Sequence, residues 1–139
     1  MKHILKAEDF SLCIEPVVFE SDRETPINTL LRMEVQSNGY AANAVMDVDI
    51  GVFVAFANKL YQIYQSLRGE AKLEGPYGQG MYLSFTGNGR GHFAVKGRLC
   101  KENRDGLEQV LEFENDVDQT AMKPFCIELL QNYGRYSSR

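Results

Sequence analysis

The residues of this chain that could do chemistry are two histidines, three cysteines and a run of alternating carboxylates. His3 and His92 stand far apart, and neither begins a metal-ligand motif. A metal or triad role for His92 would need partners from other strands, whereas a solvent-facing strand histidine needs none. Cys100 has Arg98 and Lys101 beside it, which mildly favours its thiolate, but no histidine stands close in sequence to activate it. With Cys13 and Cys126 it makes an odd count without metal-like spacing, so free thiols in a reducing compartment are expected. Gly87-x-Gly89-x-Gly91 has the outline of a phosphate loop but neither its lysine nor its helix, and a hairpin turn accounts for all three glycines. Glu112 and Glu114 have the residue types of a glycosidase pair, yet on one face of one charged strand they read as a solvated edge. No cofactor, no metal and no enzymatic activity are expected.

What remains is charge. Across 107–118, Leu107, Leu111, Phe113 and Val117 take odd positions, while Glu108, Glu112, Glu114, Asp116 and Asp118 take even ones. In an extended strand those carboxylates line one side. The strand before, 91–100, points Phe93, Val95 and Leu99 inward and His92, Lys96 and Arg98 outward. A hairpin through 101–106 then sets Lys96 and Arg98 near Glu108 and Glu112. Glu114, Asp116 and Asp118 extend past those bases and are expected to keep no partner. The candidate partner-binding residues are Glu112, Glu114, Asp116 and Asp118, the last also placed to cap the helix that follows.

The elements that must hold this row begin with one amphipathic helix, 49–68. Phe53, Phe56, Ala57, Leu60, Ile63, Tyr64 and Leu67 form a single stripe. Asp49 is the expected cap, and Arg68-Gly69 the expected stop. Nearly everything else alternates as strand: 2–6, 10–19 (with Pro16 marking an edge or a bulge), 28–37, the segment after Asn38-Gly39, 70–74, 81–86, 91–100 and 107–118. Asn38-Gly39 predicts a two-residue hairpin pairing Val35 with Ala42, Met33 with Ala44 and Leu31 with Met46. Alanines opposite larger residues leave room above them, which the helix is expected to fill through Phe53 and Phe56. At the second Asn-Gly, a three-residue loop over 88–90 pairs Phe85 with Phe93 and Leu83 with Val95, keeping apolar residues together. A second helix starts at Asp118-Gln119-Thr120, tolerates Pro124 only near its first turn, and buries Met122, Phe125, Cys126, Leu129, Leu130 and Tyr133. The connection 75–80 is turn-rich, and 134–139 is expected to fray. The expected fold is α+β: a mainly antiparallel sheet of about eight strands in hairpin meanders, with the long helix across it and a second, C-terminal helix. One domain spans 1–139.

Composition agrees with an ordinary soluble domain. No run is long enough to span a membrane, and the first residues lack the pattern of a signal peptide, with Glu8 and Asp9 interrupting the apolar start. A formal charge of −4 disfavours nucleic acid and anionic membranes and suits a basic protein partner.

Ser37-Asn38-Gly39-Tyr40, the amphipathic helix, Leu67-Arg68-Gly69-Glu70-Ala71-Lys72-Leu73, Gly91-His92-Phe93-Ala94-Val95-Lys96-Gly97-Arg98-Leu99, Leu111-Glu112-Phe113-Glu114 and Asp118-Gln119-Thr120 occur in that order. The ordered set, from about residue 30 to residue 133, resembles the WapI family of immunity proteins. The resemblance implies a non-catalytic bacterial protein of the cytoplasm. Such a protein binds and neutralises the toxic C-terminal domain, often a nuclease, of a secreted, wall-associated polymorphic toxin. The alternative from the residues themselves is a small-ligand-binding domain with a pocket between helix and sheet.

Overall fold

Asn38 and Gly39 both take positive φ, 51° and 91°, and reverse the chain in two residues with the twist that paired strands require. Ser37 faces Tyr40, and Val35, Met33 and Leu31 face Ala42, Ala44 and Met46, the register that the alternation predicts. The turn joins β3 (Thr29–Ser37) to β4 (Tyr40–Val48). In the computed structural model, which describes residues 1–76 and 80–136, β1 (His3–Ala7) and β2 (Phe10–Val18) complete an antiparallel sheet of order β1-β2-β3-β4. A second sheet runs β5 (Arg68–Glu74), β6 (Tyr82–Asn88), β7 (His92–Glu102) and β8 (Glu108–Asp118). Helix α1 (Ile50–Ser66) carries the chain from one meander to the other, and α2 (Gln119–Tyr133) follows β8. The α+β class and its eight strands are as expected. The strands are divided between two sheets rather than laid in one, because α1 separates the fourth strand from the fifth.

β2 pairs with β1 only as far as Ile14, so Pro16 has β3 alone beside it and sits on a local edge. Pro124, by contrast, lies inside α2 past its first turn. The N–H it lacks would have reached the carbonyl of Thr120, an exposed residue that water can serve.

Both ends of α1 differ from the expected caps. Asp49 holds the N-cap position, but its side chain caps no backbone N–H. Its Oδ1 accepts instead from Asn28 Nδ2 at 2.6 Å, while Asn28 Oδ1 takes the Ile50 N–H at 2.7 Å. At the other end the cap is Leu67, left-handed at φ 65° with its N–H bonded to Ile63 O, two residues ahead of Gly69, which also takes positive φ at 106°. A leucine there is uncommon, and its neighbours hold it. Gly89 N–H donates to Leu67 O at 2.7 Å, and a Cβ on Gly87 would stand 2.5 Å from that same oxygen.

The second Asn-Gly turn keeps a three-residue loop, but over 89–91 instead of 88–90. Phe85 therefore pairs with Val95, Leu83 with Gly97 and Gly87 with Phe93, not Phe85 with Phe93 and Leu83 with Val95. Moving the loop by one residue moves the register by two, which leaves every side chain on its own face. Phe85 and Phe93 are both wholly buried. The cause is Asn88, whose Oδ1 accepts from the N–H groups of Arg90 and His92 at 2.7 and 3.3 Å.

Aromatic rings tie the layers together. Phe53 meets Phe56 and Tyr133, Phe56 meets Phe85, and Phe85 stacks near Phe125. Phe10 of the first sheet lies 5.8 Å from Phe113 of the second, centroid to centroid. The expected fraying from 134 is overturned for residues 134–136. They form a 3-10 turn that buries Tyr136, bonds its hydroxyl to Glu20, and sets its ring under the guanidinium groups of Arg23 and Arg135. Residues 137–139, and 77–79 of the expected turn, lie outside the described residues.

Candidate partner-binding face

β7 and β8 build the charged face through their register. Lys96 lies opposite Glu114, and Arg98 opposite Glu112. Arg98 reaches Glu108 at 3.2 Å and Glu112 at 3.6 Å, Lys96 reaches Glu114 at 3.9 Å, and His92 Nδ1 meets Asp116 Oδ2 at 2.6 Å. Asp118 Oδ1 accepts the Ala121 N–H at 2.8 Å and so caps α2. This corrects the expectation that Glu114 and Asp116 keep no partner, while Asp118 takes the capping role expected of it. β7 continues to Glu102, and Asn103 closes the turn by accepting from the N–H groups of Asp105 and Leu107. The bases thereby stand further along the acidic row than the parity argument set them.

The four candidate residues are brought onto one face all the same. Glu112, Glu114 and Asp116 are 71%, 62% and 67% exposed, so their ion pairs are solvent-screened and contribute only about 0–1 kcal/mol each. On the β7–β8 part of this face the permanently charged bases, Lys96 and Arg98, do not balance Glu108, Glu112, Glu114, Asp116 and Asp118. The face stays acidic.

Beside this row lies a surface groove of about 380 Å³ between the start of β4 and the β7–β8 hairpin. Ala42 opens into it, only partly buried. The expected cover does not arrive: Phe53 and Phe56 of α1 turn to Tyr133 and Phe85. Those rings fill the space between helix and second sheet, where the alternative reading needs a ligand pocket.

Besides the Asn28 cap, two polar clusters escape sequence reasoning. His3, wholly buried, joins the Glu128 carboxylate through Nδ1 and the Tyr133 hydroxyl through Nε2, the latter at 2.7 Å. Asn115 bridges the sheets, giving Nδ2 to Ser37 Oγ at 2.9 Å and accepting from Asn38 Nδ2 at 3.1 Å. The one signal for Asn115 was a polar residue among the apolar odd positions of β8. Burial pushes the Cys126 thiol up to about 12, which keeps it protonated and inert. Burial, then the Glu34 carboxylate, raises Cys13. All three cysteines are unbridged. Among the described residues no group of His, Cys, Asp and Glu could hold a metal ion, and no helix is long and apolar enough to cross a membrane.

A family model described as the immunity protein WapI-like family matches residues 3–137. The match starts within β1, ahead of the motifs that carry the resemblance, and so includes the first two strands. A search of the curated proteins finds no match.

Proposed function

We propose, because this chain belongs to the WapI-like immunity protein family, that it binds the toxic C-terminal domain of a secreted, wall-associated polymorphic toxin and neutralises it without catalysis, in the bacterial cytoplasm. The family match along nearly the whole chain carries this reading. The charged face supports it: a toxin that acts on nucleic acid must present a basic surface. From Glu112 to Asp118 the β8 row offers carboxylates at every second residue, roughly 7 Å apart, to meet one. Glu112, Glu114 and Asp116 are the proposed contacts, with Asp118 shared between the partner and its helix cap. Occupying the basic face of a nuclease excludes its substrate, and no chemistry by this chain is required.

The test takes the C-terminal domain of a secreted, wall-associated repeat protein encoded beside the gene for this chain and co-expresses the two in a susceptible host. Growth restored by this chain, with a 1:1 complex on titration of the purified pair, is the expected result. Continued killing, or no complex at micromolar concentrations, would refute the reading.

A further inference from the structure

We infer that the groove between β4 and the β7–β8 hairpin receives an apolar side chain from a basic segment of the partner protein, which the acidic row of β8 orients. The inference rests on the immunity reading and goes past it by assigning the contact face and the chemistry of what enters it.

The groove is apolar where a side chain would enter. Leu99 and Leu111 line it from the second sheet and Ala42 from the first, while Tyr40 and Val110 stand 71% and 44% exposed. Large exposed apolar groups around a cavity with a charged border are the anatomy of a contact centre with its rim. Tyrosine is among the residues that most often anchor such contacts. Val110 belongs to both features, because it takes an even position of β8 between Glu108 and Glu112. These two carboxylates share one guanidinium, that of Arg98, so the lip of the groove carries uncompensated negative charge. Lys101 lines the groove from β7, opposite Gln109, on the alternate face of the hairpin from those two carboxylates. A cation on the entering segment is therefore favoured along β8 and disfavoured beside β7, which sets a direction of approach.

β4 supplies the second argument. A terminal strand exposes unpaired backbone groups, and charged side chains or proline usually protect it. β1 carries Lys6, β5 carries Arg68, Glu70, Lys72 and Glu74, and β8 carries its acids. β4 carries Asp47 toward its far end, but the stretch beside the groove, Tyr40 to Met46, has no charged residue and no proline. That uncharged stretch and the groove adjoin, as expected of an edge that a partner covers. A second copy of this chain fits poorly, because it would bring another acidic row toward the first.

The experiment titrates the toxin domain used in the co-expression test with wild type, Tyr40→Ala, Ala42→Arg and Glu112→Gln, each first checked for an unaltered circular dichroism spectrum. Tyr40→Ala truncates an exposed side chain and so retains a folded variant even if Ala42→Arg does not fold. The expected weakening is about tenfold or more for Tyr40→Ala and larger for Ala42→Arg. Glu112→Gln should slow association at low salt with little change in dissociation. Wild-type binding with Tyr40→Ala and Ala42→Arg within twofold of it would overturn the groove while leaving the immunity reading intact. Wild type failing to bind or protect would remove the reading itself. A wild-type dimer in sedimentation velocity that Ala42→Arg converts to monomer would overturn the inference by assigning the groove to a second copy.

Discussion

The Nε2 of His3 and the hydroxyl of Tyr133 lie 2.7 Å apart in the interior, fastening the first strand to the last helix. In the neutral ring the Glu128 carboxylate, which can only accept, keeps the proton on Nδ1, and Nε2 then accepts from the Tyr133 O–H. The Tyr133 ring also packs edge-on against Phe53 and against His3 itself.

Burial pushes the Tyr133 hydroxyl up to about 12 from an ordinary 10. Between those values the unfolded chain has lost a proton that the folded chain keeps. Its contribution to stability is therefore complete below pH 10 and is lost as pH rises toward 12. Urea melts of wild type should show a falling midpoint across that window. Tyr133→Phe should be less stable at pH 7 by about 1 kcal/mol and should show a shallower decline above pH 10. Equal slopes for the two proteins would contradict the assignment.

Asn28 makes a second long-range fastening. It is wholly buried and caps α1 from outside the helix, while its Nδ2 serves Asp49 and the carbonyls of Arg23 and Thr25. Asn28→Ala strands several of these groups and should cost about 3 kcal/mol. Asn28→Asp should be at least as damaging, because it turns an oxygen toward Asp49 and two carbonyls. Chemical denaturation of both variants measures this, and an aspartate variant as stable as wild type would exclude the donor role of Nδ2.

These fastenings mark where the sequence stops being legible. The Asn38-Gly39 hairpin and the stripe of α1 follow from chemistry within a few neighbouring residues, and both are found where periodicity and turn type put them. Apolar alternation is blind to the slip at 88–91, because a two-residue shift keeps every side chain on its face. The ion-pair partners of Glu114 and Asp116 depend on register in the same way. That Asn28 would cap a helix starting at Ile50, or that His3 would meet Tyr133, depends on the assembled fold. Nothing local in the chain encodes either contact. The acidic row was visible from parity alone, whereas the groove beside it depends on where α1 turns its phenylalanines.

Gly97 and Phe113 are a pair of complementary shapes across β7 and β8. The ring lies over the glycine so closely that a Cβ there would overlap it, and would also stand 3.0 Å from Tyr82 O. Gly97→Ala should destabilise by about 1–3 kcal/mol through overpacking. Adding Phe113→Leu should cost less in the alanine background than in wild type, because there it also relieves the clash. A double-mutant cycle by thermal melts reads the coupling, and strict additivity would show that the glycine does not make room for the ring.

The acidic row carries the last prediction. Since Glu114 and Asp116 already meet Lys96 and His92, charge reversal would set lysine against lysine and confuse stability with binding. Neutral replacements avoid this: Glu114→Gln with Asp116→Asn keeps the shapes and leaves only exposed bases unpaired, at a cost within about 1 kcal/mol. Long-range attraction to a basic toxin domain should fall with the lost charge. Association measured by stopped flow should therefore be slower for the double variant by several-fold at low ionic strength, and the difference should shrink as salt rises and the screening length falls to roughly 8 Å at physiological strength. Dissociation should change less, because the pairs lie on a solvated rim. Equal association rates at low salt would show that the toxin approaches from another side of the molecule.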